Sequence, residues 1–311
     1  MRNGEKEAPA PGRPKPARHA PNGAIRDDRA TEAPVISSAA SKQEPPARGG
    51  KGGGPSIAAR FAAAAPSYDA HSAAQRHAAQ KLAERLVTLA LPPRPRVLEI
   101  GCGTGHLTEL LALHLPGAWI LATDIAPAMV AACRSRLDTN PRIDFAVMDG
   151  CRPASADFDA RRPARFAGFD LICGNLVAQW FDDLPTALAG LSALLAPGGV
   201  LLLSLPGSAT FVEWRAAHAA HGLKSGTRIL PSREACLAAL PPGDNRIETE
   251  QWRDTHAHGI DFLRALRAIG ADTPAPGHVP LTPGQLRRVL RTLGPAPRLT
   301  YELLYLTHRR T

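Results

Sequence analysis

The stretch RVLEIGCGTGHL, residues 96–107, decides how the chain is read. A short β-type apolar run carries one acid, Glu99, and ends in three glycines at alternate positions, Gly101, Gly103 and Gly105. The glycines mark a tight turn into the helix that HLTELLALHL forms next. Their spacing limits what the turn can hold. A P-loop needs Gly-Lys-Ser/Thr after its glycines, and here Gly105 is followed by His106 and Leu107. A dinucleotide fingerprint has its third glycine five positions after the first, where this chain has His106.

Outward from the turn, strand and helix alternate. AWILATDI is a second strand and PAMVAACRSRL a helix; IDFAVMDG is the third strand. FDLICGNL is a fourth, apolar enough to be buried on both faces, and VLLLSLPG a fifth after the helix LPTALAGLSALL and its APGG stop. Helical crossovers between such strands give an α/β, doubly wound, mostly parallel sheet. Upstream, IAARFAAAAPSYDAHSAAQR predicts a short helix, a turn and a long helix bearing Leu82, Leu86 and Leu89 on one face. Downstream, residues 207–280 read as a helical insertion. Thr282 and Pro283 start another helix, and LTYELLYLTHR is a last strand. Residues 56–311 are thus one domain. Residues 1–55 hold no aromatic and are rich in Pro, Gly and Ala, so they predict a disordered basic tail.

Bulk properties narrow the function. The 311-residue chain has 37 Lys and Arg against 28 Asp and Glu, a net +9, of which ten basic and six acidic residues lie in the tail. No basic run interleaved with aromatics suggests single-stranded nucleic acid. The excess reads either as solubilising surface arginine or as a face for an acidic partner. Five cysteines, none with metal-ligand spacing, suit a reducing compartment, and no segment is long and apolar enough to span a bilayer. The expectation is a cytoplasmic protein without a bound metal, acting on neither nucleic acid nor membrane.

The acids choose the ligand. Glu99 stands two residues before the turn, where it would repel a pyrophosphate and attract an ammonium group. Asp124 ends the second strand, the place for a carboxylate accepting from ribose hydroxyls. Asp149 ends the third, within reach of an adenine amino group. Each acid alone also reads as a turn former or helix cap. Together they describe a pocket for a nucleoside carrying cations and no phosphate, which S-adenosylmethionine matches.

VLEIGCGTG, ATDIAPAMV, VMDG, FDLICGNL and LLAPGGVLLLSL resemble the successive motifs of class I S-adenosylmethionine-dependent methyltransferases. The resemblance implies a seven-stranded Rossmann-like sheet with an antiparallel last strand and a helical lid over residues 56–92. It also implies cofactor contacts from Glu99, Gly101, Gly103, Gly105, Asp124, Ile125, Met129, Asp149, Gly150 and Asn175. The flanks YDAHSAAQR, NLVAQW, RILPS, FLRALRAIGA and LTYELLYL are similar to the malonyl-acyl-carrier-protein O-methyltransferases of biotin synthesis. The tail and the long basic segment CRPASADFDARRPARFAG depart from that family's pattern.

This likeness implies methyl transfer to a malonyl carboxylate on an acidic acyl-carrier protein. Because a carboxylate with a pKa of roughly 4 is ionised at neutral pH, no general base is expected. Arg228 is the candidate to grip the carboxylate, or a surface arginine; Tyr68 is the candidate lid residue, or a core tyrosine. His71 and Arg76 read as surface residues, and Trp180 as core or ligand wall. Two rivals share the core. One is a methyltransferase of a free small acid such as aconitate; the other is a cofactor-binding assembly factor.

Overall fold

A computed structural model describes residues 56–153 and 168–311. The expected tail and most of the long basic segment after the third strand lie outside the described residues.

Five strands run parallel: β1 (Arg96–Ile100), β2 (Trp119–Asp124), β3 (Ile143–Val147), β4 (Phe169–Gly174) and β5 (Leu195–Pro206). With β6 (Asp244–Thr255) and β7 (Arg298–Arg309) they form one sheet in the order β3-β2-β1-β4-β5-β7-β6, in which β7 is antiparallel to both neighbours. Strand order reverses at β1, since β2 lies on one side of it and β4 on the other. The crevice at the carboxyl end of β1 is therefore the topological switch point, where ligands bind in open α/β sheets.

Side-chain alternation along the strands divides two helical layers. Val97, Ile120, Leu171, Val200 and Leu202 pack with the long helix α3 (Ala73–Leu86), with α4 (His106–His114) and with α5 (Pro127–Leu137). Leu98, Leu121, Ile172, Leu201 and Leu203 pack with α6 (Leu184–Ala193) and α8 (Arg233–Ala239) on the other face. Ahead of α3 stand α1 (Ile57–Ala64) and the single turn α2 (Tyr68–His71), the expected short helix, turn and long helix. Leu89, expected on the long helix, follows its end.

A separate cap is built from α7 (Val212–Ala219), α9 (Gly259–Ala268) and α10 (Pro283–Leu293). Its small core is Trp214, Ala217, Phe262, Val289 and Leu299. α10 starts as the sequence predicts, with Pro283 in its first turn. Thr282 and Gln285 form a reciprocal capping box, through contacts of 2.8 and 3.3 Å.

One expectation is corrected. Residues 207–280 are not wholly helical, because DNRIETEQWRDT is strand β6, paired along its length with β7 from Asp244↔Arg309 to Thr255↔Arg298. Its charged side chains hide the strand in the sequence. They fit an edge position whose outer row of backbone groups is blunted by charge.

Candidate cofactor and substrate site

All three loop glycines have positive φ, at 69°, 52° and 99°. At Gly101 a Cβ would also stand 2.7 Å from Val177 Cγ2, so both conformation and space demand glycine there. The turn is closed by Gly105 N–H donating to Cys102 O at 2.9 Å, and Cys102 N–H bonds Thr123 O of β2 at 2.8 Å.

Asp124 fastens this turn to β2. Gly103 N–H donates to one carboxylate oxygen at 3.0 Å and Ala126 N–H to the other at 2.9 Å. Burial pushes its carboxyl up to about 6, against the pull of backbone N–H groups from Ala126, Gly103 and Ile125. These donors occupy most of a carboxylate's roughly four acceptor sites, so the residue expected to take ribose hydroxyls also anchors the loop.

Glu99 is fully buried. Thr108 Oγ1 donates to its Oε2 at 2.6 Å, while Oε1 is buried without a partner. Burial, reinforced by the neighbouring Cys133, holds its carboxyl well above the ordinary range. An unpartnered buried carboxylate oxygen is expensive unless a cation meets it. Gln75 Oε1, on α3, is buried and unpartnered too, and lines the same small cavity as Glu99, Tyr68, Gly103 and Asn175. Two orphaned acceptors beside the glycine turn suit the ammonium end of S-adenosylmethionine. Sequence reading missed Gln75, because its only cue was its place in YDAHSAAQR.

Of the remaining expected residues Asn175 lines that cavity, whereas Ile125, Met129, Asp149 and Gly150, like Asp124, are not part of its lining. Asp149 Oδ1 accepts from Cys151 N–H at 3.0 Å, and at buried Gly150 a Cβ would meet Ile100 Cγ2 at 2.3 Å. Ile125 is half-buried, whereas Met129 is only 1 % exposed, deep at the start of α5. Asn175 joins three elements. Its Nδ2 donates to Gln75 O at 2.8 Å and its Oδ1 accepts from Ser204 Oγ at 2.8 Å, so it positions α3 against β4 and β5.

Tyr68 lies over the turn, 3.9 Å from where a Gly103 Cβ would be, with its ring stacked on His106. Burial pushes its phenol up, so it stays protonated. The next residue, not singled out in the sequence, ties the lid down. Asp69 accepts from Thr104 Oγ1 of the turn at 2.5 Å, pairs with Arg136 of α5, and lies 3.3 Å from His106 Nε2. Arg76 and His71 are both exposed, as expected, and Arg76 also bonds Asp69 O and Ser72 Oγ and so joins this clasp.

Arg228 is not part of that cavity's lining. Its guanidinium stands 5.5 Å over the Trp180 ring, and Trp180 makes an edge contact with Phe61 of α1 at 5.4 Å. Lid, β4 end and insertion thus meet at one aromatic. Among the described residues no acceptor takes the Arg228 N–H groups. A larger groove of about 290 Å³, between the end of α3 and the α4–β2 turn, lies at the amino ends of the strands, the wrong end for a ligand of this fold.

Residues 98–201 match the family model described as a methyltransferase domain. The solved BH2331 protein of Bacillus halodurans C-125 shares the fold, at TM-score 0.51 and 14% identity, covering 75% of this chain and all of that one. With the glycine turn and its acids, these define an S-adenosylmethionine-dependent methyltransferase. The malonyl-[acyl-carrier protein] O-methyltransferase of Magnetococcus marinus is 39% identical over 77% of this chain and 87% of its own length. That of Halorhodospira halophila is 34% identical, over 79% and 84%. The bifunctional biotin-synthesis protein BioCD of Bordetella avium is 46% identical, but this chain spans only 48% of it. The chain belongs to the malonyl-[acyl-carrier protein] O-methyltransferase family.

Proposed function

We propose that this protein methylates the free carboxylate of a malonyl thioester carried by an acyl-carrier protein, giving the methyl ester, an early step of biotin synthesis. The observation that carries this reading is Arg228. It is a guanidinium 5.5 Å over the Trp180 ring with no carboxylate partner among the described residues, next to the lid and the end of β4. Held over the ring without an acceptor of its own, it keeps its N–H groups for a bidentate grip on a carboxylate. The five free cysteines suit work in the reducing cytosol.

Bound S-adenosylmethionine supplies an electrophilic methyl group on a sulfonium. Glu99 and Gln75 offer acceptors to the ammonium end, the glycine turn lets the backbone approach closely, and Asp124 keeps that turn in register with β2. The malonyl carboxylate is already a nucleophile, so the chain needs no base. A carboxylate oxygen would form the new bond to the methyl carbon as its bond to sulfur breaks, the sulfur leaving as the neutral thioether of S-adenosylhomocysteine. Arg228 holds the carboxylate and the Tyr68–Asp69 clasp excludes water, so rate comes from position.

The test offers methyl-labelled S-adenosylmethionine with malonyl-acyl-carrier protein, and in parallel malonyl-coenzyme A, malonate and aconitate. Base-labile label on the carrier is the expected result. Arg228→Ala should then lower kcat/KM by about tenfold or more, the loss of a charge-assisted bond, without changing cofactor affinity. Tight cofactor binding with transfer to no acceptor would overturn the reading.

A further inference from the structure

Two segments of the cap contain no acidic residue at all, 214–232 and 273–298. The fold brings them together. Trp214 and Ala217 pack with Val289, His221 Nε2 bonds Thr292 Oγ1 at 2.8 Å, and Ala275 N–H donates to Gly226 O at 2.9 Å. α10 turns Leu286, Val289, Leu290 and Leu293 toward the cap core and leaves Arg287, Arg288 and Arg291 exposed on its other side. Among the described residues none of these three arginines has an ion-pair partner. Elsewhere on the cap, charge is spent internally. Arg264 pairs with Asp261, Arg267 with Asp272, and Glu213 accepts from Thr300.

The same two segments carry two large apolar side chains that the fold leaves in solvent. Ile229 is 98% exposed and Val279 78% exposed. Each belongs to one of the two acid-free segments. Apolar side chains flanked by unpaired arginines have the anatomy of an interface for a partner with an acidic, partly apolar face. The surface also leads to the site, since Arg228 adjoins Ile229 and stands over Trp180.

We propose that this acid-free face is where the acyl-carrier protein docks. Arg287, Arg288 and Arg291 engage the carrier's acidic side chains, Ile229 and Val279 are covered by its apolar ones, and the thioester arm passes Arg228 toward Trp180. The proposal rests on the carrier-linked reading above and assigns its partner a place.

The experiment compares kcat/KM for malonyl-acyl-carrier protein and for malonyl-pantetheine, which carries the arm without the protein. The proteins are the native enzyme, R287E/R288E/R291E, and R94E/R142E, a reversal of two exposed arginines outside the cap. The α10 variant should lose about tenfold or more on the carrier while holding malonyl-pantetheine turnover and its melting temperature, and R94E/R142E should match native on both. The carrier reaction of the native enzyme alone should slow with added salt. Carrier turnover within twofold of native in the α10 variant overturns the docking face, as does an equal loss on both substrates. The milder R288Q, read by direct carrier binding, decides the matter if the triple variant melts early. A native enzyme inactive on both thioesters instead sinks the carrier-linked reading, and the docking face with it.

Discussion

The turn after β1 and the helical cap are held together in different ways. At the turn, polar groups meet at fixed distances. Asp124 takes N–H groups from Gly103 and Ala126, Thr108 grips Glu99, and three glycines adopt backbone angles that side chains resist. In the cap, apolar volume dominates. Phe262 sits 4.8 Å from Phe211 and 5.7 Å from Trp214, centroid to centroid, inside a small cluster closed by Val289 and Leu299. The first arrangement permits one solution and serves a constant ligand. The second tolerates any surface that keeps its buried stripe, so on the proposed docking of the carrier there, substrate choice can change while the cofactor end stays as it is.

The strongest challenge to this division is Phe262→Ala. Emptying a site that is 1% exposed should cost about 3–5 kcal/mol, read by denaturant unfolding, while the folded protein binds S-adenosylhomocysteine within about twofold of native. Cofactor affinity that falls along with cap packing would show the two regions to be one. A sharper probe of the turn is Glu99→Gln, which preserves shape and removes charge. Calorimetry should find S-adenosylhomocysteine bound about ten- to a hundredfold more weakly, the worth of a charge-assisted contact, and 5′-methylthioadenosine, which lacks the ammonium, bound unchanged. Equal losses on both nucleosides would mean that Glu99 serves the fold alone.

The smallest effect comes from pH. Because burial raises the Asp124 carboxyl to about 6, the free protein takes up a proton there as pH falls, and the protonated form is the poorer ribose acceptor. Affinity for S-adenosylhomocysteine should therefore be about tenfold weaker at pH 5 than at pH 7. Protonation of Glu99 pushes in the same direction. In the free protein the sign is opposite. Folded Asp124 gains a proton between pH 6 and 4 that the unfolded chain does not yet hold, so its own contribution favours the fold as pH drops. The stabilisation conferred by the ligand should shrink over that interval, and a constant thermal shift would remove Asp124 from ribose binding.

What was legible in the sequence follows the same division. The places of Glu99, the three glycines, Asp124 and Asp149 at strand ends and in the turn could be read because strand ends and turns are local events with residue-specific demands. The parallel strands declared themselves as apolar runs, and α10 through its cap. Gln75 and Asp69 could not be read that way. Asp69 meets Thr104 across 35 positions and the Gln75 carbonyl meets Asn175 across 100, and no local pattern records such meetings. β6 escaped because an edge strand is free to be polar. Arg228 was legible as a residue type, but its place over Trp180 depends on how the insertion folds back.

The position of β7 makes the sheet depend on two sequence-distant pairings. It lies between β5 and β6, and the whole of α9 and α10 separates it from β6. Pairing β7 with β6 closes the loop that this excursion forms, and pairing it with β5 closes a longer one, since β5 lies farther back in the chain. Loops of this length close slowly. A cap that packs early shortens both closures, so altering its buried stripe is expected to slow folding as well as weaken the native state.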